Sequence, residues 1–570
     1  MRTTKLTYQR LSLMLKQKFS PITFIVIQLL LLAMYILYLS SCTKTTTSLK
    51  DKYAITTNVD SIAFNSAGGD STLIITANAP IAVYLNTGTD WVSYSPKDTV
   101  TSPNGYKVTV HVPAFNEDNG KRTTQLTIRC GDLKTDAVVR KFITITQLGP
   151  VVGPRDPGIY TVKDLTDLGV AITGNLDLSK WQDANGVINL MQDINAGATL
   201  IPCMGAQTVT SDTVGAFTGT FEGNGHAIKG TLDASGKPIV ALFTRLAPTG
   251  IIRNLTVDVT AVNDYAATDV QPHLSALVGF SVTATTGSIS NCVSKGTLTR
   301  TGTATNPRVG GIVGYGRCNI TTCSNYATIT ATSNRVAGIS AAGGGTFIIK
   351  DCNNYGDINV DCNAAQVGGI IGQLNGQTVT GCANYAKVTA TANGNTVVGG
   401  IAGNSQGTSA IGATSSPCVN KGKITLIASA TAPGTACGAG GISGGESAAV
   451  PFVNCTNSAD VASQVDNALV AVGGIVGTMS TITSLTNCTN DATANVTSAQ
   501  NAGGIIGLTT KAMTVTSCAN AGNIKWLAAT VASKFIGGII GSDKASVLTT
   551  CTYGGTVLGV AGTSANAIGQ

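Results

Sequence analysis

From about residue 277 to residue 570 short apolar runs alternate with Gly, Asn, Ser and Thr, and one phrase keeps returning. Gly-Gly-Ile-X-Gly stands at Gly310 to Gly314, Gly368 to Gly372, Gly399 to Gly403, Gly440 to Gly444, Gly473 to Gly477, Gly503 to Gly507 and Gly537 to Gly541, with a degenerate copy at Ala337-Gly338-Ile339. Successive phrases are 27 to 41 residues apart, most often near 31. Self-similarity at that period predicts an array of stacked units, each unable to bury its apolar face alone. Residues 59–148 follow another rule. Thr72–Thr76, Lys107–Val112, Gln125–Ile128 and Phe142–Thr146 alternate apolar and polar side chains. Gly68-Gly69, Asn104-Gly105 and Asn119-Gly120 supply turns between them. This is the pattern of half-buried antiparallel strands, and it predicts a small immunoglobulin-like sandwich.

The array carries a second landmark in phase with the first. Cys recurs at 292, 323, 352, 382, 418, 455, 488, 518 and 551, and Asn stands two residues later at 325, 354, 384, 420, 457, 490 and 520. Two landmarks with one rhythm predict coils of a parallel β-helix over 277–570, with glycines taking φ > 0 or close backbone approach at the corners. Coils stack about 4.8 Å apart. Cys323, Cys352 and Cys382 are then expected to form an interior ladder of free thiols. Asn325, Asn354 and Asn384 are expected to form a structural amide ladder at a left-handed turn. Residues 159–276 read as a cap and divergent first coils, with a short amphipathic helix over Tyr160–Leu168. Residues 149–158 are a Pro/Gly linker. The chain closes on Asn566 to Gln570, which resembles a strand phrase just beginning. That predicts a partner, or a second copy, covering the last coil.

Composition narrows the class. Charged residues are 11% and aromatics 5%, while hydrophobic residues reach 43% and Gly numbers 67. Disorder is excluded, and short strands with frequent turns are favoured. Five of the basic residues behind the formal charge of +7 lie in residues 1–41, which hold no acid, so the rest carries +2. With no basic stripe, nucleic acid is not expected as a partner. Residues 1–41 combine that basic start with an apolar run from Ile22 to Leu39, the pattern of an export signal. Its end, Leu39-Ser40-Ser41-Cys42, resembles the lipobox of bacterial lipoproteins. The resemblance implies cleavage before Cys42, acylation there, and attachment to the outer membrane through a tether over 42–58, with the protein facing the cell surface.

Two further resemblances cover most of the chain. Phe64 to Gly69, Trp91-Val92-Ser93 with Pro96, Arg122 to Ile128 and Ile143 to Gln147 resemble the BACON family of Bacteroidetes surface proteins, with Ile81-Ala82-Val83 where members often carry a second Trp. That family is suspected of binding carbohydrate or mucin, which would make Trp91 a sugar-stacking platform. As a sandwich residue alone, Trp91 reads first as a core side chain between the sheets. Phe217 to Ile228, Ile251 to Val257 and the later phrases resemble the GLUG-type repeat proteins, which implies a right-handed parallel β-helix over 159–570.

Candidate chemistry is sparse. The three His residues (111, 226 and 273) show no metal-ligand spacing, so neither metal nor cofactor is expected. Asp351, Asp357 and Asp361 lie along one coil, and the next coil does not repeat them, so no catalytic pair is assigned. Tyr326, Tyr355 and Tyr385 follow the Asn in three consecutive coils, which predicts an aromatic strip about 10 Å long. Tyr315 and Trp526 read as isolated. The sequence therefore predicts an all-β protein, a sandwich followed by a solenoid. It would act as a lipid-anchored envelope adhesin that binds host or dietary glycans without catalysis. A polysaccharide lyase or glycosidase on the β-helix is the alternative, and a spacer without a ligand the third.

Overall fold

A computed structural model describes residues 49–570 except 87–88, 102, 117–119, 150–155, 209–212, 283–285, 392–393, 428–436, 466, 468, 482, 528–534, 562–566 and 570. The expected export signal, Cys42, most of the 149–158 linker and Asn566 therefore lie outside the described residues. No helix among the described residues is long and apolar enough to cross a membrane. The chain divides into two compact units, residues 1–155 and 156–570.

The first unit is a sandwich of two four-stranded sheets. One holds β1 (Ile55–Thr57), β3 (Gly69–Ala77), β6 (Tyr106–Val112) and β5 (Ser93–Ser95), all antiparallel. The other holds β2 (Ser61–Phe64), β8 (Ala137–Leu148), β7 (Lys121–Asp132) and β4 (Ile81–Leu85), with β2 and β8 parallel. The alternation explains the packing. Leu73 and Ile75 of β3, Val108, Val110 and Val112 of β6, Leu126 and Ile128 of β7, and Ile143 and Ile145 of β8 are all buried between the sheets.

The second unit is a β-solenoid of about ten coils, each contributing to four long sheets. We number the sheets in the order the chain visits them. Sheet I has 12 strands such as Asn319–Thr321 and Thr378–Thr380; sheet II has 21, including Asn353–Asn354 and Ile358–Val360. Sheets III and IV have ten each, for example Gln366–Gly368 and Ile371–Asn375. A helix over Val162–Thr173 buries Leu165, Leu168, Ala171 and Ile172 against the first coils. Its N-terminus is closed by a capping box, in which Thr161 Oγ1 accepts from Asp164 N–H and Asp164 accepts from Thr161 N–H. The helix runs five residues beyond the expected end.

The Gly-Gly-Ile phrase is the corner between sheets III and IV, and close approach, not conformation, demands the glycines. A Cβ on Gly368 would sit 2.0 Å from Ile371 O, and one on Gly369 would sit 2.2 Å from Gly400 O. Neither residue has positive φ. The following Ile (Ile312, Ile339, Ile370 and Ile401) is buried in every copy. The left-handed corner lies elsewhere, on the residue just before the Cys: Asn291, Thr322, Asp351, Gly381, Asn454, Asn487, Ser517 and Thr550 have φ between 50° and 64°. The Asn of Cys-X-Asn is strand backbone in sheet II, which corrects its expected place in a left-handed turn.

The Cys column is interior. Cys323, Cys352 and Cys382 are fully buried, and no disulfide joins the fourteen described cysteines. Each Sγ donates to the carbonyl two residues back, at 3.3–3.4 Å; Cys352 Sγ also accepts from Cys323 N–H at 3.5 Å, and Cys382 Sγ from Cys352 N–H at 3.4 Å. Burial pushes the Cys418 thiol up to about 11, so its nucleophilic thiolate is scarce at neutral pH. In the folded protein an aromatic disulfide reagent is expected to label the half-buried Cys362 and Cys551 first, with Cys203, whose thiol burial also pushes up to about 11, and the buried ladder thiols reacting only in denaturant. Mass spectrometry of the labelled chain reads this directly. Early labelling at Cys352 would show that the coils open.

Candidate functional site

The amide ladder on sheet II anchors one outer face of the solenoid. Asn325 Nδ2 donates to Asn354 Oδ1 at 2.7 Å, and the pattern continues through Asn384, Asn420, Asn457, Asn490 and Asn520 at 2.8 Å. All seven are buried. Ser294 Oγ donates into Asn325 Oδ1, and Asn520 Nδ2 ends the run on Gly538 O. Most of these amides also hold the backbone two residues on, as Asn384 holds Ala386.

Between each Asn and that clamped residue one side chain points outward, and here the tyrosines stand in register. Tyr326 and Tyr355 stack at 4.6 Å and 11°; Tyr355 and Tyr385 stack at 4.7 Å and 8°. Lys421, in the next coil, places its Nζ 5.4 Å from the Tyr385 ring centre. The expected strip exists, but its geometry differs from a flat platform. Both faces of Tyr355 are covered by its neighbours, so what it offers solvent is the ring edge and hydroxyl. Tyr326, 48% exposed, has one ring neighbour and therefore one face without an aromatic partner.

A second surface lies on the outer side of the corner between sheets III and IV. Sheet III sets Ile239, His273, Arg308, Arg335 and Gln366 on successive rungs; sheet IV sets Phe280, Tyr315, Ala342 and Gln373 opposite. Tyr315 is therefore not isolated. It stacks on Phe280 at 5.3 Å and 18°, and Arg308 Cζ lies 4.3 Å from its ring centre. His273 is buried beside both rings. Burial, reinforced by the charge of Arg308, drives its pKa down to about 3, so the imidazole is neutral. Burial also brings Arg308 down to about 10, with Arg335 adding repulsion. Unit charges one rung apart, about 4.8 Å, repel by on the order of 3 kcal/mol at an effective dielectric of about 20. No carboxylate lies within ion-pair distance of Arg308, Arg317 or Arg335 among the described residues.

Further along the same groove, Glu446 is buried beside Asn404, Thr478 and Ser480. Burial raises its carboxyl above the usual range, although Thr481 Oγ1 and the N–H groups of Thr481 and Ser480 donate to it. It is the one acid among the residues lining that stretch. The Asp351, Asp357 and Asp361 cluster does not converge. Asp351 lies 3.9 Å from Lys350 Nζ, while Asp357 accepts from Lys387 N–H in the next coil. His226 pairs with Asp193 at 3.1 Å. Glu222 is tied to Arg253 at 2.6 Å and to Asn254 at 2.8 Å, both in the next coil. Among the described residues no group of three His, Cys, Asp or Glu side chains is arranged to hold a metal.

In the sandwich, Trp91 packs against the core, and Arg122 lies between it and Phe115, 4.4 Å from each ring centre. Arg122 is held there by Gln147 Oε1, which accepts at 2.6 and 2.9 Å, and Gln147 is itself buried. A ring with one side on the core and a fixed guanidinium over a face is bracing, so Trp91 is not an open sugar platform. Residues 82–148 match the BACON family, described as “Putative binding domain, N-terminal”. The first unit carries a BACON domain. The match begins within β4, so β1 to β3, which complete both sheets of the BACON domain, lie before it.

Among known proteins, halomucin from Haloquadratum walsbyi is 31% identical over 244 residues. That alignment is 41% of this chain, and the chain spans about 2% of that protein's length. A solved structure described as a “putative immunoglobulin A1 protease” from Bacteroides ovatus aligns with 71% of this chain and 85% of its own, at 14% identity and a TM-score of 0.26. A GH5 xyloglucanase from the same organism aligns with 19% of this chain and 21% of its own, at 16% identity and a TM-score of 0.15. Likenesses this slight say nothing of activity. The BACON domain followed by β-helix repeats is the architecture of the chain.

Proposed function

We propose that this chain is a lipid-anchored envelope protein that binds glycans at the cell surface without catalysis, with the solenoid as its binding element. The observation that carries this reading is the row of three exposed, stacked tyrosines on sheet II. Their hydroxyls repeat once per coil, close to the length of one sugar unit in an extended glycan, and Tyr326 adds a ring face without an aromatic partner. The amide ladder beneath fixes the row, so little side-chain freedom is lost on binding. The BACON match supports a binding role, and the likeness to a protein named halomucin supports a surface one.

Glycan-array binding of the whole secreted chain tests the proposal. The triple variant Tyr326→Ala, Tyr355→Ala, Tyr385→Ala is expected to lose at least tenfold in affinity for the glycans the wild type retains. Equal binding by both proteins would move the site off sheet II, and no binding by the wild type would reject the function. Release of reducing or unsaturated ends from any bound polymer would replace it with the hydrolase or lyase alternative.

A further inference from the structure

The groove between sheets III and IV contains two arginines whose charges nothing in the described protein neutralises. Arg308 and Arg335 are backbone partners on neighbouring coils, so their side chains leave the same face one rung apart. Both are half-buried, and the Nε of each is buried without a hydrogen-bond partner. Arg317, at the end of the sheet IV strand of the Arg308 coil, also has a buried Nε without a partner. The next rung adds Gln366, whose Oε1 is buried and unpartnered. Folding alone does not favour this arrangement, because like charges are desolvated side by side. The sheet IV wall steps down from Tyr315 to Ala342 opposite Arg335, and three glycines follow at 343–345. Small residues therefore make up the sheet IV wall in the coil that carries Arg335. A guanidinium stacked on Tyr315 is fixed in orientation, which suits two-pronged hydrogen bonding to a planar or tetrahedral oxyanion.

We propose that Arg308 and Arg335 form an anion site for the carboxylate or sulfate-ester groups of an acidic glycan lying along this groove. An extended sugar chain advances by about one coil per unit, so charged groups on successive sugars would meet successive guanidiniums. Gln366, Gln373 and Asn404 continue the walls with amides suited to hydroxyl groups. The site rests on the reading that the solenoid binds glycans, but it is separate from the tyrosine row and does not need it.

The test uses the whole secreted chain, four oligomers of similar length (a galacturonate hexamer, a sulfated hexasaccharide, a neutral cello-oligosaccharide and an oligoglutamate of matched charge), and free sulfate. Wild type is expected to bind the first two at least tenfold more tightly than the rest, with affinity falling as salt rises. The carboxylated and sulfated arms tell the two oxyanion sources apart. Arg335→Gln and Arg308→Gln, each alone, are expected to remove that preference while keeping the thermal midpoint at or above the wild-type value, because a repulsion has been relieved. Unchanged acidic-glycan binding in both variants would overturn the anion site while leaving the tyrosine proposal standing. Equal binding of oligoglutamate or free sulfate would overturn the glycan as its ligand. If Arg308→Gln does not fold, the more exposed Arg335→Gln decides.

Discussion

Replacing Asn384 with alanine is expected to destabilise the solenoid by about 4 kcal/mol, more than any surface change considered for this protein. The side chain is fully buried and takes part in four hydrogen bonds. It donates to Asn420 Oδ1 at 2.8 Å and to Ala386 O at 2.9 Å, and accepts from Asn354 Nδ2 at 2.8 Å and Ala386 N–H at 3.4 Å. Removal leaves donors and acceptors of two neighbouring coils facing a cavity too dry to satisfy them, at roughly 1–3 kcal/mol for each group that cannot find another partner. Because each coil touches only its neighbours, the damage should be local. Hydrogen exchange is therefore the sharper measurement, and the amides of Tyr355, Tyr385 and Lys421, which bond along the same column, should lose protection together. A midpoint change under about 1 kcal/mol, with protection intact, would mean that the ladder only fills space.

Acid is the second large lever, through His273. The imidazole stays neutral in the folded protein down to about pH 3, against an ordinary value of 6.5. Between those values the unfolded chain binds a proton that the folded chain refuses, so stability falls as pH falls from about 6.5 toward 3. The loss attributable to this residue is roughly 3 kcal/mol by pH 4. Burial is the main cause and the charge of Arg308 the second, with Phe280 and Tyr315 making up the apolar surroundings. A His273→Phe variant keeps an aromatic ring there and removes the proton. The difference in thermal midpoint between wild type and variant should therefore widen in favour of the variant on going from pH 7 to pH 4. A constant difference would show that His273 is protonated in the folded state.

Much of the architecture was legible because it is written twice. The Gly-Gly-Ile phrase and the Cys-X-Asn phrase share one period, and each marks a place where only one side-chain size fits. The left-handed corner was not legible, because Asn, Thr, Asp, Gly and Ser all occupy it and no consensus forms. Pro417 precedes Cys418, where a fixed negative φ forbids that conformation; this coil instead turns at Gly412 and carries extra residues before the Cys. The tyrosine row could be counted from the Asn spacing, but not the tilt of its rings, which decides whether faces or edges meet a ligand. The choice between core and platform for Trp91 could not be read from the sequence, because its cover, Arg122, is thirty-one residues away on another sheet. The arginine pair escaped notice for a related reason. Arg308 and Arg335 each stand two residues before the first position of their repeat phrase, and only aligning the copies on that phrase brings them together.

The amide ladder has a direction. From Asn325 to Asn490 each Nδ2 donates to the Asn of the following coil, never to the one before. Six bonds aligned head to tail add their dipoles and polarise one another, as a chain of hydrogen bonds does in a low-dielectric interior. Ser294 Oγ closes the accepting end at Asn325, and Gly538 O closes the donating end at Asn520. A coil inserted into the column must therefore enter in one sense only, accepting from the coil before it and donating to the coil after it, or it leaves two buried amides unpaired.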